Sequence, residues 1–342
     1  MRLALVSAFL EGNESGITGH EAGLEYSYER AFLALGHEIV RIRDSPKEII
    51  RLPGALSRIE AWTQQQFYLS TLCENVLTSG VDLAVVIKGR GVTGGIVRKW
   101  RRAGIRVVTL MPDNPFEAAA VGLGAPGLLE QYRAVDLVLV HDRIAVGQLR
   151  ECQVRSEFIA FARDPVLHSF DSAGSREPEE YQLVFVGNLD SDRVRYLTAL
   201  SDLGLAVFGS ASPRVLGLTE PLRRCVRGGP QYGDAMVSAM RKAQISINIF
   251  RCSQKSAHNM RTFEIPACGV CCLSEFSIGA AELMQEGKEV EMFRTPQELR
   301  KAAIRLLQSP GAIQEIAAAA EARTVNETYQ KRATELLQLI DM

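Results

Sequence analysis

Short apolar runs alternate along this chain with longer stretches in which apolar residues recur at helical spacing. In the first half the strand-like runs cover 2–9, 37–43, 81–89, 105–113, 135–142 and 156–162. Apolar runs of this length are typical of strands that are buried on both faces, and a helix between two strands makes a βαβ crossover. The pattern therefore predicts a parallel sheet covered by helices.

A Ser-, Pro- and acid-rich stretch, "VLHSFDSAGSREPEE", interrupts this rhythm, and the alternation then restarts at "YQLVFVGN". Further strands are predicted at "LAVFGS", "ISINIFR" and "VCCLSEF", and helices at "RTFEIPACG" and "GAAELMQEG". We expect an N-terminal domain over 1–165, a linker over 166–180 and a C-terminal domain over 181–321. The last helix, about 322–342, is expected to pack back onto the first domain. The predicted fold is α/β, with two Rossmann-like parallel-sheet domains facing each other across a cleft.

Composition and charge narrow the function classes. The 342 residues are 46% hydrophobic and 23% charged, and the net charge of −1 provides no basic field for nucleic acid or an anionic membrane. The apolar start of the chain is too short to span a bilayer, so no stable membrane insertion is expected. The seven cysteines, an odd and scattered set, indicate reduced thiols and a cytoplasmic protein. We expect a monomer or homodimer.

A single acid, Glu264, stands inside the apolar part of "HNMRTFEIPACG". A carboxylate is costly in an apolar setting unless a partner pairs with it. One interpretation is a sugar hydroxyl pair, such as that of a ribose, with a diphosphate at the preceding helix start. The other is a local ion pair with Arg261, three residues earlier. The donors proposed for the nucleotide and its phosphates are Arg251, Lys255, His258, Asn259, Met260 and Arg261.

A second candidate loop is "FVGN", in which a strand runs into Gly187 and Asn188 before a helix that carries Arg193 in its first turn. A glycine at such a turn lets the backbone approach a phosphate, so Gly187, Asn188 and Arg193 are candidates for binding the nucleotide phosphates. The alternative is an ordinary turn glycine.

Polar residues also follow the predicted strands of the first domain, where an acceptor and a catalytic base are expected. His20 and Asp113 are the candidate bases, and Gly16, Lys88 and His141 are candidates for the acceptor side or the sugar. The alternatives are an exposed loop histidine at His20, an Asx turn at Asp113 and a helix cap at His141.

The segment "NMRTFEIPACG", with "LSEFS" and "AELMQEGKEVEMFRTPQEL" after it, resembles the C-terminal signature of GT-B glycosyltransferases, and more narrowly the bacterial CgeB-like (spore maturation) group. "FVGN", "MPDNP", "VDLVLVHD" and "FIAFARDP" extend the resemblance over most of the chain. In retaining enzymes of this type, the acid at the position of Glu264 binds the nucleotide ribose. A second acid eight residues earlier is absent, because that position is Ser256.

The resemblance implies a metal-independent glycosyltransferase without a cofactor. It would move a hexosyl or deoxyhexosyl group from a UDP-, dTDP- or GDP-linked sugar to a hydroxyl of a glycan, protein or small molecule. Two alternatives stay open: a nucleotide-sugar epimerase of the same fold, and an inactive binding or scaffold protein, which the missing acid at Ser256 favours.

Overall fold

The computed structural model describes residues 1–9, 22–44, 56–89, 91–120, 127–168, 179–210, 220–251 and 254–341. They divide into two compact units. Unit 1 is built on Leu24–Ala160, with the N-terminal strand and the segment from Ala333, and unit 2 is built on Phe161–Arg332.

Unit 1 contains a parallel sheet of six described strands in the order β2-β1-β3-β4-β5-β6. These strands are β1 (Arg2–Ser7), β2 (Glu38–Arg43), β3 (Leu83–Ile87), β4 (Arg106–Met111), β5 (Leu137–Val140) and β6 (Ser156–Phe158). The chain passes from β1 outward to β2 and then returns to β3 on the other side of β1. The switch point of the topology therefore lies between β1 and β3, where α/β proteins usually bind their ligands.

Helices separate the strands of unit 1, and their ends follow local capping chemistry. They are α1 (Leu24–Ala34), α2 (Leu56–Thr78), α3 (Gly94–Arg102), α4 (Pro115–Ala120), α5 (Leu128–Ala134) and α6 (Arg143–Glu151). The Thr93 hydroxyl accepts from the Ile96 N–H at the start of α3. Trp100 of α3 is completely buried, and its indole N–H donates to the Cys73 carbonyl at 3.2 Å, so α3 is fixed against α2.

Unit 2 repeats the architecture with the strand order β12-β11-β10-β7-β8-β9, all in parallel pairs. Its strands are β7 (Tyr181–Val186), β8 (Leu205–Phe208), β9 (Val226–Gly228), β10 (Ala243–Asn248), β11 (Cys271–Glu275) and β12 (Glu291–Phe293). The corresponding switch point lies between β7 and β10.

The described helices that follow Phe161 are short around the switch point and longer near the C-terminus. They are α7 (Ser191–Thr198), α8 (Glu220–Arg223), α9 (Gly233–Arg241), α10 (Arg261–Ala267), α11 (Ile278–Ala281), α12 (Pro296–Leu307), α13 (Pro310–Thr324) and α14 (Tyr329–Asp341). The last part of α14 groups with unit 1, where the Arg155 guanidinium donates to the Leu339 carbonyl at 3.0 Å.

The prediction of an α/β fold with two Rossmann-like parallel sheets is confirmed. Several element boundaries differ from the prediction. The strand predicted over 156–162 ends at Phe158, because its neighbour β5 ends at Val140 and offers no further ladder. The helix predicted over "GAAELMQEG" stops at Ala281, and the chain continues in turns toward a short bridge between Glu286 and Val290.

Candidate functional site

The candidate donor site lies at the carboxyl end of β7 and β10 in unit 2. Helix α10 begins at Arg261, where the helix "RTFEIPACG" was predicted to begin, and Glu264 lies in its first turn. The Glu264 carboxylate is buried and forms an ion pair with the Arg261 guanidinium. Arg261 also donates from Nε to the carbonyl of Val186, the last residue of β7, at 3.4 Å. The local ion pair that the sequence spacing allowed is therefore present, and it stands at the switch point.

Asn259, predicted as a donor to the nucleotide, uses its carboxamide inside the protein. Its Nδ2 donates to Asn248 Oδ1 at 2.8 Å, and its Oδ1 accepts from the Asn248 amide and from the Thr262 N–H, each at 3.2 Å. Asn248 donates in addition to the Ser274 hydroxyl. The network joins the ends of β10 and β11 to the first turn of α10. Asn259 therefore fixes the position of α10 relative to the sheet.

Arg193, predicted to bind phosphate, is almost fully buried. Its guanidinium donates to the Ile249 carbonyl at 2.7 and 3.1 Å and to the Asn188 carbonyl at 2.9 Å, and it lies against the ring of Phe185. Burial lowers the pKa of Arg193 to about 10. These contacts connect the turn after β7 to the end of β10.

The turn at Gly187 is packed closely against the turn after β8. A Cβ added at Gly209 would lie 1.9 Å from the Gly187 carbonyl oxygen, so only glycine fits at Gly209. The Gly187 N–H donates to the Phe208 carbonyl, and the Asn188 side chain accepts from the Ser210 hydroxyl at 2.8 Å. The "FVGN" loop is therefore held by β8 on one side and by Arg193 on the other.

Glu275 is a buried acid that the sequence interpretation missed. It ends β11, and its carboxylate accepts from Lys255 Nζ at 2.6 Å and from the Phe250 N–H at 2.9 Å. The polar loop that follows β10 is thereby attached to the end of β11. Glu275 could have been found from its place at the carboxyl end of a predicted strand. Arg251, at the start of this loop, is partly exposed.

His258 is completely buried, although it was predicted to donate to the nucleotide. Its Nε2 accepts from the Phe161 backbone N–H at 2.9 Å, and its ring makes edge contacts with Phe161 and Phe263. Met260 also belongs to the predicted donor set. Its carbonyl accepts from the Phe263 and Glu264 N–H groups in the first turn of α10. His258 is therefore a packed internal group.

In unit 1 the predicted acceptor residues Lys88 and Asp113 come together at the ends of β3 and β4. Lys88 Nζ lies 3.6 Å from Asp113 Oδ2. Lys88 has a φ of 63°, and the N–H of Gly89 donates to the Ile87 carbonyl at 2.8 Å, which makes a γ-turn centred on the lysine. Burial raises the pKa of the neighbouring Glu25, and the Lys88 charge is one of the influences that oppose it. A lysine in this strained conformation stands next to the switch point.

His141, predicted for the acceptor or sugar side, is buried and its Nδ1 lies 2.6 Å from the Ile159 carbonyl. The adjacent Asp142 caps α6 through the Ile144 N–H and accepts from the Asn114 amide at 2.8 Å. Asn114 also accepts from two N–H groups at the start of α4. His20 and Gly16 lie outside the described residues.

No group of three or more His, Cys, Asp or Glu side chains suited to a metal ion occurs within the described ranges. Cys268, Cys271 and Cys272 are buried, and burial raises the pKa of the Cys271 thiol to about 12. None of the described helices combines the length and apolarity needed to cross a lipid bilayer.

Residues 192–338 match the family model described as Glycosyl transferase-like, a region that includes α10 with Glu264. Among solved structures, the sucrose-phosphate synthase of Thermosynechococcus elongatus is similar at 15% identity and a TM-score of 0.72, covering 99% of this chain and 98% of that one. Anabaena HepE in complex with UDP and glucose is similar at 13% identity and a TM-score of 0.62, covering 92% and 88%.

An E. coli trehalose-6-phosphate structure bound with UDP-2-fluoro glucose is similar at 12% identity and a TM-score of 0.65, covering 99% of both chains. No curated protein sequence matched the chain. The chain thus has the GT-B fold, and its C-terminal half has a glycosyltransferase-like sequence.

Proposed function

We propose that this protein is a metal-independent glycosyltransferase that moves a hexosyl or deoxyhexosyl group from a nucleoside-diphosphate sugar to an acceptor hydroxyl. One observation carries the proposal: a buried carboxylate, Glu264, paired with Arg261 at the switch point of unit 2. This pair lies within the segment that matches the glycosyl transferase-like model. The CgeB-like assignment, a bacterial origin and a cytoplasmic location are further parts of the proposal, based on the sequence motif and the cysteine pattern.

The ion pair suggests how a nucleotide would be held. A carboxylate accepts two O–H donors, so the ribose hydroxyls of an arriving nucleotide would bond to Glu264 in place of Arg261. The guanidinium released in this way would turn toward the diphosphate, to which partly exposed Arg251 would also contribute. The charge that develops on the leaving diphosphate oxygen is where fixed cations lower the barrier most.

The transfer itself breaks the bond between the sugar C1 and the diphosphate oxygen and forms a bond from C1 to the acceptor oxygen. The acceptor hydroxyl loses its proton in this step, and Asp113 is our candidate base. Its neighbour Lys88 would orient the acceptor hydroxyls by donating hydrogen bonds. Hydroxyl groups of a glycan, a protein or a small molecule all fit this description.

UDP is the first nucleoside diphosphate to test, because two of the similar structures hold UDP or a UDP-sugar. Thermal unfolding would be followed with UDP, GDP, dTDP and ADP for the natural protein, for Glu264→Ala and for the exposed control Glu315→Ala. At a ligand concentration of about 100 times Kd, binding adds about 2.7 kcal/mol to stability. We expect one diphosphate to raise the Tm of the natural protein and of Glu315→Ala but not of Glu264→Ala. If none of the four raises it, the transferase proposal fails.

Ser256 favours a second candidate, a nucleotide-binding protein without transferase activity. Position 256 carries a hydroxyl where retaining relatives have an acid. The Ser256 backbone carbonyl accepts a hydrogen bond from the Gly279 N–H at 3.0 Å. The two candidates differ in turnover. A transferase or epimerase consumes a nucleotide-sugar, whereas a binding protein gains stability from the diphosphate and leaves the sugar intact. Mass spectrometry of UDP-glucose and other UDP-hexoses after incubation with the protein decides between them.

A further inference from the structure

Segment 161–168, "FARDPVLH", lies far in sequence from α10, the helix that carries Glu264, yet its first residue contacts His258, which packs against α10. Phe161 donates its backbone N–H to His258 Nε2 at 2.9 Å, and the two rings meet edge to face at a centroid distance of 5.3 Å. His258 in turn packs edge to face on Phe263, the neighbour of Glu264, at 5.9 Å. An aromatic column thus runs from Phe161 through His258 into α10.

The hydrogen bond from the Phe161 N–H shows which ring nitrogen of His258 carries no proton. Nε2 accepts a hydrogen bond from an N–H, so this nitrogen carries no proton, and an imidazolium ring has no lone pair with which to accept. A fully buried N–H that loses its acceptor retains the whole cost of its desolvation. The contact is therefore a specific constraint between residue 161 and residue 258, one residue before Asn259.

The other end of the segment holds a second buried histidine. His168 is buried, and its Nδ1 lies 3.0 Å from both the N and the O of Asp164, which makes a closed turn. Its Nε2 has no hydrogen-bond partner in the part of the chain that the structure describes. Burial lowers the pKa of His168, the Glu264 and Asp164 carboxylates oppose that effect, and the Arg261 charge adds to it.

We propose that Phe161 and His258 form a brace for the donor site, in which His258 is a positioning residue that holds the loop before Asn259, and through Phe263 the helix with Glu264, where a nucleoside diphosphate binds. His258 does not contact the ligand. Removing the His258 acceptor should loosen residues 254–264 even without a nucleotide. The inference rests on the proposed function only for the identity of the ligand.

The first experiment measures loop order without a ligand. Hydrogen–deuterium exchange of peptides covering 254–264 would be compared in the natural protein, His258→Leu and His258→Gln. The leucine keeps the apolar bulk and removes the acceptor, and the glutamine places an oxygen near the position of Nε2. We expect about tenfold faster exchange for His258→Leu and near-natural exchange for His258→Gln. Peptides of unit 1, such as 83–87, serve as the internal reference.

The second experiment measures UDP affinity by calorimetry for the same proteins. We expect His258→Leu to weaken UDP binding about tenfold or more and His258→Gln to restore it.

The outcomes separate the two ideas. Unchanged exchange at 254–264 in His258→Leu overturns the brace, whatever UDP does. If the natural protein binds no diphosphate while the exchange result stands, the proposed function fails and the brace holds. If His258→Leu does not fold, His258→Asn, whose amide is too short to reach the Phe161 N–H, replaces it, and natural-rate exchange in that variant overturns the inference.

Discussion

Glu327 precedes α14 and carries a concentrated set of ion pairs, so its replacement by glutamine gives a sharp test of the structure. Its carboxylate accepts from Lys331 at 2.8 Å, from Arg323 at 3.3 Å and from the buried Arg332. Burial alone would raise the pKa of Glu327, but the bonds from Lys331 and Arg332 outweigh it and hold the pKa at about 2. Glu327→Gln keeps the shape and removes the charge.

The size of the effect follows from the pKa. A drop from 4.5 to about 2 corresponds to about 3 kcal/mol of stability for unit 2 when the group is ionised. Lys331 and Arg323 are partly exposed, and solvent screening reduces this to about 1–2 kcal/mol. Because the folded pKa is depressed, the contribution is complete above pH 4.5 and is lost as the pH falls from there through 2.

The assay is urea-dependent hydrogen exchange of peptides within 310–332, which reports the opening of this part of unit 2 separately from unit 1. We expect Glu327→Gln to open about 1–2 kcal/mol more easily at pH 7, with the difference narrowing between pH 5 and pH 3. Glu315→Gln, the same change at an exposed position of α13, should leave the opening free energy unchanged. A difference between Glu327→Gln and the natural protein that is constant from pH 7 to pH 3 would refute the assignment of the depressed pKa to this carboxylate.

Three further changes test other contacts. Gly209→Ala forces a methyl group onto the Gly187 carbonyl, so we expect a loss of about 1–3 kcal/mol in urea unfolding and a smaller nucleotide-induced Tm rise; a natural response to nucleotide would contradict the close approach. Lys255→Met leaves the Glu275 carboxylate short of a cation and should lower the Tm, whereas adding Glu275→Gln to it should recover part of the loss; strictly additive effects would show that the pair is uncoupled. Thr295→Ala removes the side-chain cap of α12 and should cost about 1 kcal/mol in urea unfolding, with Thr295→Ser close to natural; an equal loss in both would exclude the hydroxyl as the cause.

The sheets were predictable because their signal is local. Runs such as "VDLAVVIKG" can satisfy their backbone and bury both faces only inside a parallel sheet, and the structure places β3 there. The pairing of Glu264 with Arg261 was also accessible, because positions three apart on a helix are neighbours.

Contacts between distant parts of the chain were not predictable in this way. The direction of the Arg193 guanidinium depends on the Ile249 carbonyl, 56 positions away, and the burial of His258 depends on Phe161, 97 positions away. Polar residue types in a loop suggested ligand donors at both places. Only the folded chain shows that the Arg193 guanidinium and His258 Nε2 form hydrogen bonds inside the protein, so our proposal assigns the nucleotide to Arg251, Arg261 and Glu264.

The contact between Phe161 and Arg332 has a consequence for how readily the segment between them could be exchanged between proteins. The Arg332 Nε donates to the Phe161 carbonyl at 3.3 Å, and next to it Arg163 and Thr328 form a parallel bridge. The stretch from 161 to 332 therefore begins and ends at one place. A segment whose termini meet can be inserted, exchanged or circularly permuted without distorting the chain on either side of it. Recombination between genes of this fold would accordingly be best tolerated with joints at these two residues. An isolated 161–332 segment would keep the hydrogen bond between Arg332 and Phe161 that joins its ends.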